Sequence, residues 1–189
     1  LDQGKTAQGI WLQMRTRSSR IELGIATSLV SIGTDAQIQV TNTPGYPTLT
    51  TSYSATAGQT VTMEKVVTVF TSQEDEQPVP IAQTKLATLP TYAVLLEAHQ
   101  QVWDAVWQHS DIEIEGDLTA QLAVRYNLFQ LLIAASPHND QVSIPAKTLS
   151  GFGYRGHVFW DTEIFILPFF IFTQPNLARN LLSYRYHTL

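Results

Sequence analysis

The chain has 189 residues, 44% of them hydrophobic and 14% charged, with a formal net charge of -5. That length holds one sizeable core or two small ones, and the composition is that of a folded protein. Its scattered basic residues argue against a nucleic-acid partner, and the absence of cysteine excludes disulfides and thiolate metal ligands.

Up to about residue 85 the chain is rich in Thr, Ser, Val and Ile with period-two alternation. Residues 20–26 put Ile21, Leu23 and Ile25 on one strand face, and residues 37–40 pair Ile38 with Val40. Thr43-Pro44-Gly45-Tyr46-Pro47 reads as a turn. Two further strands follow at 48–55 and 60–70, the second aligning Val61, Met63, Val67 and Val69. Short strands at this spacing predict an antiparallel sandwich. Arg15, Arg17 and Arg20 lie among Ser and Thr, as on a solvated strand edge or loop. Residues 72–80, acidic and then Pro-rich, read as an exposed linker.

Beyond Pro90 the period turns helical. Val94, Leu95, Ala98, Val102, Trp103, Val106 and Trp107 form an amphipathic stripe. An extended stretch at 111–117 ends in Gly116, and Asp117 is placed to cap a helix that Pro137 stops. That helix carries a main stripe of Leu118, Leu122, Tyr126, Phe129 and Ile133. It is apolar almost all round, as for a helix buried on several sides. Residues 144–157 are Gly-rich and loop-like. The apolar run 158–173 is expected to be helical, with Pro168 kinking it or lying in a first turn, and a last helix covers 176–187. No leader-like segment opens the chain and no apolar run is long enough for a bilayer, so the expectation is a soluble, cytoplasmic protein with no membrane partner. The start at Leu1 and the uncapped end at Leu189 are what a piece of a longer protein would show.

The most unusual stretch is the Gly-rich loop followed by Phe159-Trp160-Asp161-Thr162-Glu163. A sugar site needs a flat apolar surface for the C–H face of the ring and a carboxylate or amide for its hydroxyls. Trp160 beside Asp161 offers both, and a carboxylate leading into so apolar a segment needs a partner. A plainer reading stands beside this one: Trp160 as core and Asp161 as a helix cap. Asp161 and Glu163, two apart on a helix, diverge and make a poor acid–base pair. Arg155 and His157 flank Gly156 and could meet anionic or hydroxyl groups. His99 is expected in a core, and His109 and His138 near helix ends; no metal-binding spacing links the histidines.

The motifs then carry a resemblance. Ile144-Pro145-Ala146-Lys147, Gly153-Tyr154-Arg155-Gly156-His157-Val158-Phe159-Trp160-Asp161-Thr162-Glu163-Ile164-Phe165 and Leu167-Pro168-Phe169-Phe170 resemble the signature of glycoside hydrolase family 65. So do Ala178-Arg179-Asn180-Leu181-Leu182 and Tyr184-Arg185-Tyr186-His187-Thr188-Leu189, while Gly116-Asp117 and residues 125–132 are similar to the first helix of that family's barrel. The matches are dense from about residue 111 onward.

The resemblance implies an α+β multidomain fold: residues 1–85 as the later part of an N-terminal β-sandwich, 86–115 as a linker with a helix, and 116–189 as the first helices of an (α/α)6 barrel. It implies an enzyme of the kind that includes maltose, trehalose, kojibiose and nigerose phosphorylases, with an inverting hydrolase as the alternative. A carbohydrate-binding module without catalysis is the alternative of another class. In such phosphorylases a glutamic acid protonates the glycosidic oxygen while inorganic phosphate, the co-substrate, attacks the anomeric carbon from the opposite face. The partners implied are a disaccharide, glucose and phosphate, with no cofactor and no metal, in a homodimer. Trp160 and Asp161 would line the glucose subsite, with Phe159, Arg155 and His157 nearby. The catalytic acid and phosphate-binding residues would lie beyond residue 189, so these residues alone would be inactive, with inner barrel helices uncovered. Two positions depart from the pattern: Phe152, where a small polar or acidic residue is expected, and Thr148, where the family more often has Gly. Both leave the acceptor sugar open.

Overall fold

A computed structural model describes residues 2–6, 9–149, 151 and 153–189. The chain forms two compact units, one ending at Ala98 and the other spanning His99–Leu189.

The first unit is built on an antiparallel sheet in the order β1-β2-β3-β6, comprising Asp2–Lys5, Gly9–Arg15, Glu22–Ile32 and Thr62–Thr71. A separate antiparallel hairpin joins β4 (Gln37–Thr43) to β5 (Tyr46–Ser52). Its turn is the Pro44–Gly45 step, with Gly45 at φ +81°, a conformation glycine adopts without steric penalty. Gln3 ties this turn to β1: its amide donates to Asn42 Oδ1 (2.7 Å) and the Thr43 carbonyl (2.8 Å), and its Oε1 accepts from Gly45 N–H (2.6 Å). The strands thus pair antiparallel in two sheets, as the alternation predicts.

The strands β1 and β2 lie outside the expected set. Residues 72–77 are largely exposed, as a linker would be, but helix α1 begins at Pro78 and runs to Thr88. Proline fits there because the first turn needs no N–H from it. Val79 and Ala82 are buried as α1 packs on β3 and β6. The helix comes so close that Gly24 faces the backbone of Pro78, leaving no room for a side chain. Ala26 and Thr68, whose hydroxyl donates to the Ala82 carbonyl at 2.8 Å, share that face. Val67 and Val69, expected to point inward, lie on the opposite face, about half exposed. The alternation was right in period, but which face is covered depends on α1.

Helix α2 spans Tyr92–Ser110. Of its stripe, Leu95, Trp103, Val106 and Trp107 are partly buried, whereas Val94, Ala98 and Val102 are exposed. Helix α3 covers Leu118–Ala134, and Asp117 caps it by accepting from Ala120 N–H at 2.9 Å. This helix buries Leu128 and Leu132, while Leu118, Leu122 and Tyr126 of the expected main stripe are exposed. A helix apolar all round gives no sequence signal for which face meets the core first. Helices α4 (Leu167–Thr173) and α5 (Pro175–Thr188) complete the second unit. Its core joins Leu132, Ala135, Ile144, Leu167, Phe170, Leu177, Ala178 and Leu181, with Trp103 and Trp107 packed against it.

The run 158–173 is not one helix. Thr162–Ile166 form a wide π turn in which Leu167 N–H reaches back to the Thr162 carbonyl. Proline at 168 has no N–H and its ring clashes with the carbonyl four residues earlier, so the helix widens before it and restarts as α4.

Candidate functional site

The Gly-rich loop is held by short-range contacts. Ala146 N–H bonds the His157 carbonyl at 3.4 Å across its mouth, and Thr148 N–H bonds the Pro145 carbonyl at 2.9 Å. At its far end Tyr154 (φ 59°), Arg155 (φ 51°) and Gly156 (φ 77°) form three successive left-handed residues. Only the glycine adopts this geometry freely; each of the others costs about 1–2 kcal/mol. The Tyr154 carbonyl accepts from His157 N–H at 2.9 Å and meets its ring Nδ1 at 3.0 Å. The turn gathers rings around Phe159: Tyr154 meets it edge-on at 5.2 Å between centroids, and His157 stacks at 6.5 Å.

Beyond Phe159 the chain is anchored on both sides of Asp161. Arg185 on α5 donates through Nη2 to the Phe159 carbonyl at 2.6 Å. The same guanidinium forms a two-pronged pair with Glu163, Nε to Oε1 at 2.8 Å and Nη2 to Oε2 at 2.9 Å. Thr162, buried, donates its hydroxyl to the Ile144 carbonyl at 2.8 Å. Between these anchors Trp160 is 66% exposed, its ring 6.3 Å from that of Phe165. Asp161 is half-buried, and its carboxylate has no hydrogen-bond or ion-pair partner among the described residues.

Half of the plainer reading fails on geometry. Asp161 stands at the helix-start position but makes no capping hydrogen bond, while Trp160 is exposed among the described residues. What remains is an open indole face next to a free carboxylate on a fixed backbone. Phe159, His157 and Tyr154 cluster beside it, and Arg155 is exposed, its guanidinium unpartnered among the described residues. The expected divergence of Asp161 and Glu163 is accounted for, since Glu163 turns to Arg185. The sequence marks Arg185 only as part of the Tyr184–Leu189 motif and carries no sign that it meets Glu163, 22 positions away. Phe152 lies outside the described residues.

The other candidates sort differently. His99 is exposed, its ring 6.2 Å from Trp103, and is not a core histidine. His109 closes the end of α2 through Nδ1 and the Ala105 carbonyl at 2.9 Å. His187 meets Asp140 at 3.2 Å, and that hydrogen bond, with one from Gln141, holds the Asp140 carboxyl below its usual range. Arg15 lies 4.0 Å from Glu22 across the β2–β3 pair, exposed as a strand-edge cation would be. Among the described residues no helix is long and apolar enough to cross a membrane.

The model of the glycosyl hydrolase family 65 N-terminal domain matches residues 1–106, and that of the family's central catalytic domain matches residues 125–189. The chain belongs to glycoside hydrolase family 65. Within the family it is 45% identical over 152 residues to a kojibiose phosphorylase of Halothermothrix orenii, covering 75% of this chain and 20% of that one. It is 41% identical over 142 residues to a nigerose phosphorylase of Lachnoclostridium phytofermentans, covering 73% and 19%. A solved structure described as a putative kojibiose phosphorylase from human microbiome superposes with a TM-score of 0.83 at 27% identity, over 100% of this chain and 25% of that one. The chain thus spans about a fifth of the length of these curated relatives. The antiparallel strands followed by helices agree with the sandwich-then-barrel order of the family 65 resemblance.

Proposed function

We propose that the protein containing these residues is an inverting phosphorylase that cleaves an α-linked glucose disaccharide with inorganic phosphate. A phosphate oxygen attacks the anomeric carbon and the glycosidic C–O bond breaks. A general acid donates a proton to the departing glycosidic oxygen, so glucose leaves and glucose 1-phosphate forms with its anomeric configuration inverted. The observation that carries this reading is the exposed Trp160 beside the unpartnered Asp161, in a chain whose relatives are named kojibiose and nigerose phosphorylases.

In this reading Trp160 packs against the C–H face of a glucose ring and Asp161 accepts from its hydroxyls. Charge-assisted hydrogen bonds of that kind are worth about 1.5–3 kcal/mol each. Arg155, His157 and Phe159 border the same subsite. Neither Asp161 nor Glu163 serves as the acid: the first holds sugar, and the second is committed to Arg185. The acid and the phosphate-binding groups therefore come from elsewhere in the protein. The proposal keeps residues 1–85 as sandwich, 86–115 as linker and 116–189 as barrel. Further helices would cover the exposed Leu118, Leu122, Phe165 and Phe172. It includes a cytoplasmic homodimer needing no cofactor beyond phosphate, which light scattering and fractionation of the full-length protein test.

The test of function is incubation of the full-length protein with kojibiose, nigerose, maltose and trehalose, with and without phosphate. Glucose 1-phosphate formed only with phosphate is the expected result, and the responding disaccharide names the linkage. Glucose released equally without phosphate would make the protein a hydrolase.

A further inference from the structure

Trp160 and Asp161 share an unusual situation: the indole N–H and the carboxylate make no hydrogen bond to the protein among the described residues. Nothing bonded to these groups themselves fixes their direction, so their aim is set by the backbone that carries them. That segment is bracketed by a single side chain, which bonds the backbone at residue 159 and the side chain of Glu163. Arg185 bonds the Phe159 carbonyl at 2.6 Å and both oxygens of Glu163 at 2.8 and 2.9 Å. Its own ring neighbour is Tyr184, 5.8 Å from the guanidinium carbon. Thr162 adds a buried tie to Ile144, but only from within the segment.

We propose that Arg185 is a positioning residue for the sugar subsite, a clamp from α5 that spans the Trp160–Asp161 segment and sets how both side chains are presented. This rests on the sugar-site reading of those two residues. The chemistry of the clamp is specific to arginine. Its planar fork offers parallel donors to a carboxylate and a further donor to a carbonyl, whereas an ammonium is a point charge that cannot span the three acceptors. The pair is partly withdrawn from solvent, with side-chain exposures of 33% for Arg185 and 23% for Glu163. Solvent therefore screens it less than a surface ion pair. The π turn immediately after Asp161 strengthens the argument. Such single π turns are rare and recur at functional sites, and here one begins directly after the segment that Arg185 brackets.

The test uses the full-length protein labelled with 5-fluorotryptophan, the Trp160 resonance being assigned by its loss in Trp160→Phe. Glucose affinity is measured by calorimetry on wild type, Arg185→Lys, Arg185→Ala and Glu163→Gln. The clamp predicts that Arg185→Lys shifts or broadens the Trp160 fluorine signal. It also predicts a loss of glucose affinity on the order of ten- to a hundredfold, equivalent to losing one or two charge-assisted hydrogen bonds to the sugar, with far-UV circular dichroism unchanged. Millimolar guanidinium, but not ammonium, restores part of the affinity of Arg185→Ala. A wild-type protein that takes up no glucose overturns the sugar-site reading, and the positioning role with it. A wild type that binds, beside an Arg185→Lys variant with the same affinity and an unmoved Trp160 signal, overturns the clamp alone.

Discussion

Thr162 Oγ1 donates to the carbonyl oxygen of Ile144 at 2.8 Å, and both residues are buried. This bond pins the start of the π turn to the strand of chain that leads into the Gly-rich loop. Replacing Thr162 with Val keeps the branched shape but leaves the Ile144 carbonyl without that donor. Leaving a buried acceptor unsatisfied costs about 1–3 kcal/mol. Urea unfolding of the full-length Thr162→Val variant should show a loss in that range. A midpoint equal to wild type would mean that the bond contributes nothing.

Thr148 occupies a left-handed conformation, φ 50°, within the same loop. A β-branched residue is strained there by about 1–2 kcal/mol, and glycine is not. Glycine also loses more backbone entropy on folding, about 0.5–1 kcal/mol, so part of the relief is offset. Thr148→Gly is therefore expected to stabilise the protein by on the order of 0.5–1 kcal/mol. Denaturant melts check this, and a destabilised variant would show that the threonine's own contacts outweigh the strain.

Much of this architecture was legible in the sequence because it rests on local rules. The Asp117 cap, the turn at Pro44–Gly45 and the helices α2, α3 and α5 follow from capping chemistry, turn residues and a 3.6-residue period. The strands β1 and β2 escaped because Gly, Gln and Arg interrupt their alternation. Helix α1 was hidden by the acidic run before it and by the prolines that open it. Which face of α3 is buried could not be read from a helix apolar on every side. At the site, Trp160 and Asp161 stood out by residue type, but their anchoring did not. The pairing of Glu163 with Arg185 joins separate helices, and the left-handed Tyr154 and Arg155 break the expectation that glycine fills such positions.

Gly24 in β3 meets the backbone of Pro78 at the start of α1. Any side chain there must displace the helix from the sheet, since backbone cannot swing aside as a side-chain tip can. Gly24→Ala should destabilise the sandwich unit by at least about 1–3 kcal/mol, the range for overpacked cores. Hydrogen exchange should localise the loss to α1, β3 and β6. Unchanged protection of α1 would contradict so close a packing.

Asp111 and Arg125 form a two-pronged ion pair beside the cap of α3, with Nε of Arg125 at 3.0 and 3.1 Å from the two carboxylate oxygens. Hydrogen bonding to Arg125 holds the Asp111 carboxyl below its usual range. An aspartate in the unfolded chain titrates near 3.9, so the folded form keeps its charge to lower pH. The stabilisation is therefore complete above about pH 5 and fades as pH falls through the lowered value. The stability gap between wild type and Asp111→Asn should be widest at neutral pH, narrow once pH falls below about 4, and close only as pH passes below the lowered folded value. A gap that is constant with pH would show that the charge is not what matters.

Asp161 is central, because its carboxylate has no partner among the described residues. Its direct test is the Asp161→Ala variant of the full-length protein, with kcat/KM for the cleaved disaccharide and the melting temperature measured side by side. Loss of two charge-assisted hydrogen bonds to sugar corresponds to a fall in kcat/KM of at least on the order of a hundredfold. That fall, with the melting temperature unchanged, is the result this account predicts. Wild-type kinetics in the variant would contradict it and move the sugar site elsewhere.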